Sequence, residues 1–229
     1  VVVADIVLDD ATSVQAEVAE MGRRSRAVHV DVTDRGSVKA MAAEAVSEYG
    51  RADILVNNNG GPPPGRFEDW EHEQWLAALE SNLLAPAALI RALLPGMRER
   101  RFGRIVNITS AAVRSPIDEL CLSNGARCGL TGFVAGLSRK TVANNVTINN
   151  LLPGPFDTDR LRGNIAHRAG AAGISEAEMA AKAAANNPAG RFGTAEEFGA
   201  ACAFLCSVHT GFITGQQILM DGGAFPGTM

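Results

Sequence analysis

Residues 105–133 read IVNITSAAVRSPIDELCLSNGARCGLTGF, and the fold can be inferred outward from this stretch. Its apolar run ends in the hydroxyl residues Thr109 and Ser110, which predicts a strand over residues 104–108 that delivers Ser110 at its carboxyl end. A loop follows, and a helix then opens at Ser123 and continues to about residue 143. Strand, loop and helix in this order form one unit of an alternating α/β fold.

The rest of the chain repeats this alternation. Apolar residues such as Val38, Met41 and Ala42 fall at helical spacing, so each helix buries one face against a sheet. We expect strands over residues 1–4, 27–32, 54–56, 104–108, 146–151 and 216–220. We expect helices over residues 11–21, 38–49, 71–100 with a kink at Pro86, 123–143 and 194–208, with a mobile helical flap over 161–189. This order predicts an α/β fold with a doubly wound parallel sheet of the Rossmann type.

Size and composition fit one domain over residues 1–229, because 229 residues that are 46% hydrophobic can bury one sizeable core. A net charge of −4 favours neither nucleic acid nor an anionic membrane surface as a partner. No apolar run approaches the roughly 20 residues of a spanning helix, so we expect a cytoplasmic protein. The four cysteines, Cys121, Cys128, Cys202 and Cys206, lack metal-site spacing, and we expect buried free thiols rather than metal ligands or disulfides.

The chain begins inside a strand at Val1, and no Gly-rich turn follows a first strand. We therefore expect that the first strand and the Gly-rich turn lie in a leading segment outside these 229 residues. The missing strand would otherwise leave an open slot with unpaired backbone groups in the middle of the sheet.

Several motifs, in the right order, resemble those of the short-chain dehydrogenase/reductase family. Ser110 fits the Ser that this family places thirteen residues before a Tyr-x-x-x-Lys motif, but Ser123 stands at the Tyr position and Arg127 at the Lys position. The other matching motifs are Asn57-Asn58-Asn59-Gly60, Pro153-Gly154 with Thr158, Ile213-Thr214-Gly215-Gln216 and Asp221-Gly222-Gly223. The resemblance covers essentially the whole chain and implies a homodimer or homotetramer built on helices 71–100 and 123–143.

The resemblance implies a catalytic set of Ser110, Asn82, Ser123 and Arg127, with Asn82 at the position of the family's water-holding Asn. The family's Tyr protonates the substrate oxygen, and its Lys lowers the Tyr pKa and relays protons. Ser123 is shorter and a far weaker acid than a phenol, and the Arg127 guanidinium does not deprotonate in proteins. The usual relay is therefore interrupted twice. The only tyrosine, Tyr49, is expected at the opposite edge of the sheet.

Substitute acids are available in the sequence. Asp118, Glu119 and Cys121 lie in the loop before Ser123, His72 follows the Asn-Gly loop, and His167 lies in the flap. Each of these side chains is more commonly a solvated loop residue than a proton donor.

The resemblance also implies a nicotinamide dinucleotide site. Its expected residues are Asp5, Asp31, Val32, Asn58, Asn59, Gly60, Arg127, Pro153, Gly154 and Thr158, with no metal. Asp5 closes the opening strand, where a carboxylate binds ribose hydroxyls and repels a 2′-phosphate, so we expect NAD rather than NADP. Capping of the following helix is the alternative role for Asp5.

Three functional interpretations stay open at this point. The first is an oxidoreductase that acts on a small carbonyl or alcohol, in which Ser110 binds the oxygen, Arg127 holds the ribose and another acid supplies the proton. The second is a nucleotide- or partner-binding relative without turnover. The third is a non-redox enzyme, such as a lyase, that uses the same pocket.

Overall fold

The structure is a computed structural model and describes residues 1–228. Its strands are β1 (Val2–Asp5), β2 (Arg26–His29), β3 (Ile54–Asn57), β4 (Gly103–Ile108), β5 (Val146–Pro153) and β6 (Gln217–Met220). Its α-helices are α1 (Leu8–Glu20), α2 (Arg35–Tyr49), α3 (His72–Leu79), α4 (Ala85–Glu99), α5 (Cys121–Thr141), α6 (Asp159–Ala172), α7 (Glu176–Ala185) and α8 (Ala195–Cys206). The predicted alternation of strands and helices is confirmed.

All strand pairings are parallel, but they form two sheets. The pair β1 and β2 makes one sheet, and β3, β4, β5 and β6 make the other in that order. The predicted parallel sheet with helices on both sides is confirmed, and within residues 1–228 it is interrupted between β1 and β3, each of which hydrogen-bonds to a single neighbouring strand. The free edges of these two strands are where the sequence predicts an open slot.

Helices cover both faces of the four-stranded sheet. Helices α2, α4 and α5 pack on one face around Leu89, Ile105 and Ile148, and α8 packs on the other face through Leu205. Strand β4 is buried throughout, as a central parallel strand should be. In β3, by contrast, Leu55 is 8% exposed while Ile54 and Val56 are 49% and 44% exposed.

Side-chain amides cross the four-stranded sheet in one row, which we call the amide ladder. Asn57 Nδ2 donates to Asn107 Oδ1 at 2.8 Å, Asn107 Nδ2 to Asn150 Oδ1 at 2.9 Å, and Asn150 Nδ2 to Gln217 Oε1 at 2.9 Å. Each pair is in register between neighbouring strands. The ladder ends at Asn57, whose Oδ1 is buried without a partner in residues 1–228.

The expected helix over residues 71–100 is divided. A π-helical segment, Glu80–Leu84, separates α3 from α4. Pro86 lies in the first turn of α4, directly after the π-helical segment, and a kink at Pro86 stays a prediction. The expected flap is helical and consists of α6 and α7, which share a small apolar cluster of Ile165, Ala169 and Met179.

The helical run His72–Glu99 is 28 residues long and apolar enough, by length and composition, to cross a membrane. A core helix of a soluble protein passes the same test, and the buried face of α4 packs in the main core. The four cysteines are free, as expected, but Cys128 is exposed because it lies on the outward face of α5. The expectation of a buried thiol is wrong at this position.

Candidate active site

The predicted site residues lie where the carboxyl ends of the parallel strands meet. Ser110 follows β4, Asn59 and Gly60 follow β3, and Pro153 ends β5. Helix α5 carries Ser123 and Arg127 one turn apart and packs against β5 and the short 3₁₀ turn after Ser110. Ligands of open α/β sheets bind at this edge.

Arg127 is held at the centre of this site. Its Nη1 donates to Ile108 O at 2.7 Å and its Nη2 to Asn59 O at 3.2 Å, so one side chain joins the ends of β3 and β4 to α5. Only 8% of the residue is exposed. Burial, followed by the charge of Arg160, lowers the pKa of the Arg127 guanidinium from its ordinary value to about 10, so it stays cationic at neutral pH.

The two serines differ in what their hydroxyls do. Ser110 Oγ accepts a hydrogen bond from Ala112 N at 3.1 Å, which leaves its own proton free to donate to a ligand. Ser123 is 8% exposed, and no hydrogen bond to its hydroxyl occurs within residues 1–228. Both hydroxyls are therefore available to bind a substrate oxygen.

The π-helical segment places Asn82 beside the loop that follows β3. Asn82 Nδ2 donates to Ser81 Oγ at 2.7 Å and to Gly60 O at 3.3 Å, while its Oδ1 is buried without a partner among the described residues. Asn59 Nδ2 in turn donates to Ser81 O. The free oxygen of Asn82 is an acceptor for a water or ligand, which fits the predicted role of Asn82.

Gly154 and Thr158, which are expected at the nicotinamide end of the site, are both held by local contacts. A Cβ on Gly154 would lie 2.8 Å from Asp221 Cα, so glycine is required there for close packing against the end of β6. Thr158 caps α6, because its Oγ1 accepts from Leu161 N at 3.3 Å. A contact from Thr158 to nicotinamide stays a prediction.

The adenosine end is more exposed. Asp5 Oδ1 accepts from Val7 N at 2.9 Å, which is a turn-capping bond of the kind considered as its alternative role. The Thr33 hydroxyl and N–H both donate to Asp31, and the hydroxyl is the main cause of a lowered pKa of that carboxyl group. Val32 is half-buried and packs at the margin of the main core, and Asn58 is exposed.

The backbone at Gly60 leaves room for a ligand at this edge of the sheet. A Cβ on Gly60 would meet no atom within 4 Å, so space for a ligand lies above that backbone. The Gly-rich turn that would hold the diphosphate does not occur in residues 1–228. Two cavities, of 290 and 310 Å³, border the expected nicotinamide and adenosine ends: one is lined by Phe156 and Asp221, the other by Val32 and Leu84.

The suggested substitute acids make no hydrogen bond to Ser123 within the described residues. Asp118, Glu119, His72 and His167 are exposed. Cys121 Sγ lies 4.0 Å from Gly65 O. Tyr49 lies at the opposite edge of the sheet, as predicted, since its hydroxyl contacts Val1 O at the start of β1.

One residue at this edge was missed in the sequence. Arg160, in the first turn of α6, reaches back across the site and donates to Gly61 O at 3.3 Å and Pro62 O at 3.0 Å. The run Asp157-Thr158-Asp159-Arg160, which follows Pro153-Gly154 after two intervening residues, was a signal for a charged group here. Its contact with residues about a hundred positions earlier in the chain could not be read from local spacing.

The fold and this arrangement of residues define a dinucleotide-binding α/β protein. Residues 1–224 match the family model described as Enoyl-(Acyl carrier protein) reductase. The chain therefore belongs to the short-chain dehydrogenase/reductase family of oxidoreductases, as the motifs suggest.

Three similar proteins illustrate the relationship. The 3-oxoacyl-[acyl-carrier-protein] reductase FabG of Haemophilus influenzae is 30% identical over 222 residues, which cover 96% of this chain and 87% of that protein. The D-beta-hydroxybutyrate dehydrogenase of Cupriavidus necator is 31% identical over 217 residues, which cover 93% of this chain and 84% of that one. The structure of YwfH, an NADPH dependent reductase involved in bacilysin biosynthesis, superimposes with a TM-score of 0.92 at 27% identity, covering 99% of this chain and 88% of YwfH.

Proposed function

We propose that this protein is a nicotinamide-dependent oxidoreductase that acts on a small carbonyl or alcohol through an altered catalytic site. The observation that carries the proposal is the buried Arg127, anchored to Ile108 O and Asn59 O next to two available serine hydroxyls. The names of the FabG and hydroxybutyrate dehydrogenase relatives support carbonyl and alcohol substrates.

In this proposal each residue has a separate task. The bound nicotinamide supplies or accepts hydride. Ser110 donates a hydrogen bond to the substrate oxygen, and Ser123 lies beside it as a second hydroxyl. Arg127 holds the ribose side of the site with donors that its two protein bonds do not use. The proton on the product oxygen comes from water, because neither Ser123 nor Arg127 is an acid of suitable pKa.

Exchanging the pair tests the altered site. Ser123→Tyr with Arg127→Lys restores a phenol and an ammonium on one face of α5, and general acid-base catalysis contributes about 10²–10⁴-fold. We expect slow turnover of simple ketones by the parent and a gain of at least about tenfold in kcat by the double variant. Cofactor consumption in the presence of each of several small ketones measures the rates of the parent and the double variant, and Ser123→Ala is the control.

Rapid ketone reduction by the parent that survives Ser123→Ala would contradict this assignment and place the acid elsewhere. The absence of turnover by both proteins, together with intact cofactor binding, would favour a nucleotide-binding relative without catalysis. This second function is supported by the absence of the family's Tyr and Lys at positions 123 and 127.

The cofactor proposal is NAD, bound by Asp5 at the adenosine ribose and by Pro153, Gly154 and Thr158 at the nicotinamide. YwfH is an NADPH dependent reductase, so the choice between the two cofactors is open to test. The diphosphate needs a further turn, and we place it on a strand in the slot between β1 and β3, whose facing edges are unpaired.

The assembly we propose is a homodimer or homotetramer of single-domain subunits in the cytoplasm, packed through α4 and α5. Helix α5 exposes Phe133 at 41% beside the small residues Gly129 and Gly132. Phe133→Arg should shift the protein towards monomers, as measured by analytical ultracentrifugation. An unchanged sedimentation coefficient would show that this face is not the interface.

A further inference from the structure

Two arginines converge on the loop that follows β3, and neither is in an ion pair. Arg127 donates to Asn59 O, and Arg160 donates to Gly61 O. Asn59 and Gly61 are two positions apart in the chain, so their Cα atoms are at most about 7 Å apart. Within residues 1–228, no carboxylate lies within 4 Å of either guanidinium.

The acids nearest to Arg160 in sequence are already occupied. Arg162 contacts Asp157 at 3.1 Å and Asp159 at 2.7 Å, so both carboxylates of this turn face Arg162. Arg160 is left to lie on the glycine backbone, where a Cβ on Gly61 would come within 2.6 Å of Nη1. Arg160 is therefore a second cation at this loop, in addition to the buried Arg127.

Arg127 is 8% exposed and Arg160 is exposed, so the repulsion between the two cations acts mainly on the buried Arg127. The charge of Arg160 acts on Arg127 in this way. An oxyanion between the two guanidinium groups would remove the repulsion, and each guanidinium has donors left over from its five N–H groups. The amino-terminal end of α6, where Arg160 lies, adds a favourable partial charge.

We propose that Arg127 and Arg160 bind the carboxylate of an anionic substrate, so that the protein acts on small oxo or hydroxy acids rather than on neutral ketones or thioesters. This rests on the proposed function for the identity of the pocket as a substrate site. Ser110 binds the reacting oxygen. Arg160, together with the Arg127 donors that remain after the proposed ribose contact, fixes the carboxylate at the other end of the molecule. A dinucleotide diphosphate also presents oxyanions and could bind the same two arginines. The titrations below distinguish the diphosphate from the substrate carboxylate.

Calorimetric titration of the full protein with acetoacetate and with methyl acetoacetate tests the site without requiring turnover. We expect the acid to bind at least about tenfold more tightly than the ester. Arg160→Gln should weaken acetoacetate binding about tenfold or more and leave the ester unchanged, while Arg160→Lys should recover part of the loss. Arg168 is exposed like Arg160 but lies two turns further along α6, so Arg168→Gln removes the same charge at a distance from the loop and should have little effect in 0.15 M salt.

Equal binding of acid and ester, no binding of acetoacetate, or equal effects of Arg160→Gln and Arg168→Gln would overturn the proposal. Titration of NADH into the same variants identifies the source of the oxyanion. If Arg160→Gln weakens NADH and not acetoacetate, the pair binds the dinucleotide diphosphate and the substrate assignment is wrong.

The two proposals fail in different ways. Arg160-dependent binding of the acid without any turnover contradicts the oxidoreductase function and leaves the anion site standing. Reduction of the ester as efficiently as the acid contradicts the anion site and leaves the oxidoreductase function standing.

Discussion

The four-stranded and two-stranded sheets of this protein are stabilised in different ways. In the four-stranded sheet, β4 and β5 are buried, and backbone pairing is reinforced by the amide ladder. The two-stranded sheet lacks a buried central strand, and Ala4 and Asp5 of β1 are exposed. The two sheets are joined by packing of α2 against α4 rather than by hydrogen bonds between β1 and β3.

This difference corresponds to a division of function. The four-stranded sheet positions Ser110, Ser123 and Arg127, so the reacting end of the site is fixed by buried contacts. The two-stranded sheet carries Asp5, at the adenosine end, on an exposed strand. The chemistry should therefore be sensitive to substitutions in the first sheet, and cofactor choice to those in the second.

The largest effect is expected in the middle of the amide ladder. Asn107→Leu conserves approximate volume but leaves Asn57 Nδ2 and Asn150 Oδ1 buried without partners. Each unsatisfied group costs about 1–3 kcal/mol, so the free energy of unfolding should fall by about 3 kcal/mol in urea denaturation.

A matched control lies on the neighbouring strand. Thr147 is fully buried, and its Oγ1 has no partner among the described residues. Thr147→Val should therefore be neutral or stabilising, since it removes an unsatisfied hydroxyl. Similar losses for Asn107→Leu and Thr147→Val would show that the ladder contributes through packing alone.

The ladder also shows what sequence patterns miss. The order of strands and helices followed from local periodicity, and the positions of Ser110, Ser123 and Arg127 followed from the family motifs. Asn57, Asn107 and Asn150 each lie near the carboxyl end of a strand, which was a signal, but their pairing depends on register across 43 to 50 residues. Arg160 could not be placed because its partners lie 98 and 99 residues away.

The free edge of β3 gives the second prediction. Ile54 and Val56 are exposed beside this unpaired edge, and we expect a further strand with covering residues to occupy the slot in the folded protein. Ile54→Ala should then destabilise that protein by about 2 kcal/mol, as for a buried isoleucine. Val208→Ala, at a residue 68% exposed beyond α8, is the control and should stay within about 0.5 kcal/mol.

Amide hydrogen exchange of β3 gives an independent measure. A filled slot predicts protection of the backbone N–H groups on both edges of β3. An Ile54→Ala effect no larger than that of Val208→Ala, together with fast exchange at β3, would show that the slot stays open.

The smallest effect is expected at Asp5, because its carboxylate is exposed and solvent screens its field. A 2′-phosphate beside this carboxylate meets like-charge repulsion, so NADH should bind more tightly than NADPH. Asp5→Ala removes the repulsion and the hydrogen bonds to the ribose hydroxyls. It should therefore narrow the ratio of the NADPH and NADH dissociation constants by about tenfold, or about 1.4 kcal/mol.

Asp9→Ala, a substitution of an exposed acid in the first turn of α1, controls for the loss of one negative charge. Calorimetry with both cofactors on the full-length protein measures the ratio, and its dependence on salt separates repulsion from the loss of ribose contacts. Tighter binding of NADPH by the unaltered protein would contradict the assignment. Asp5 would then act only as the cap of Val7 N, and the two-stranded sheet would not determine cofactor choice through this carboxylate.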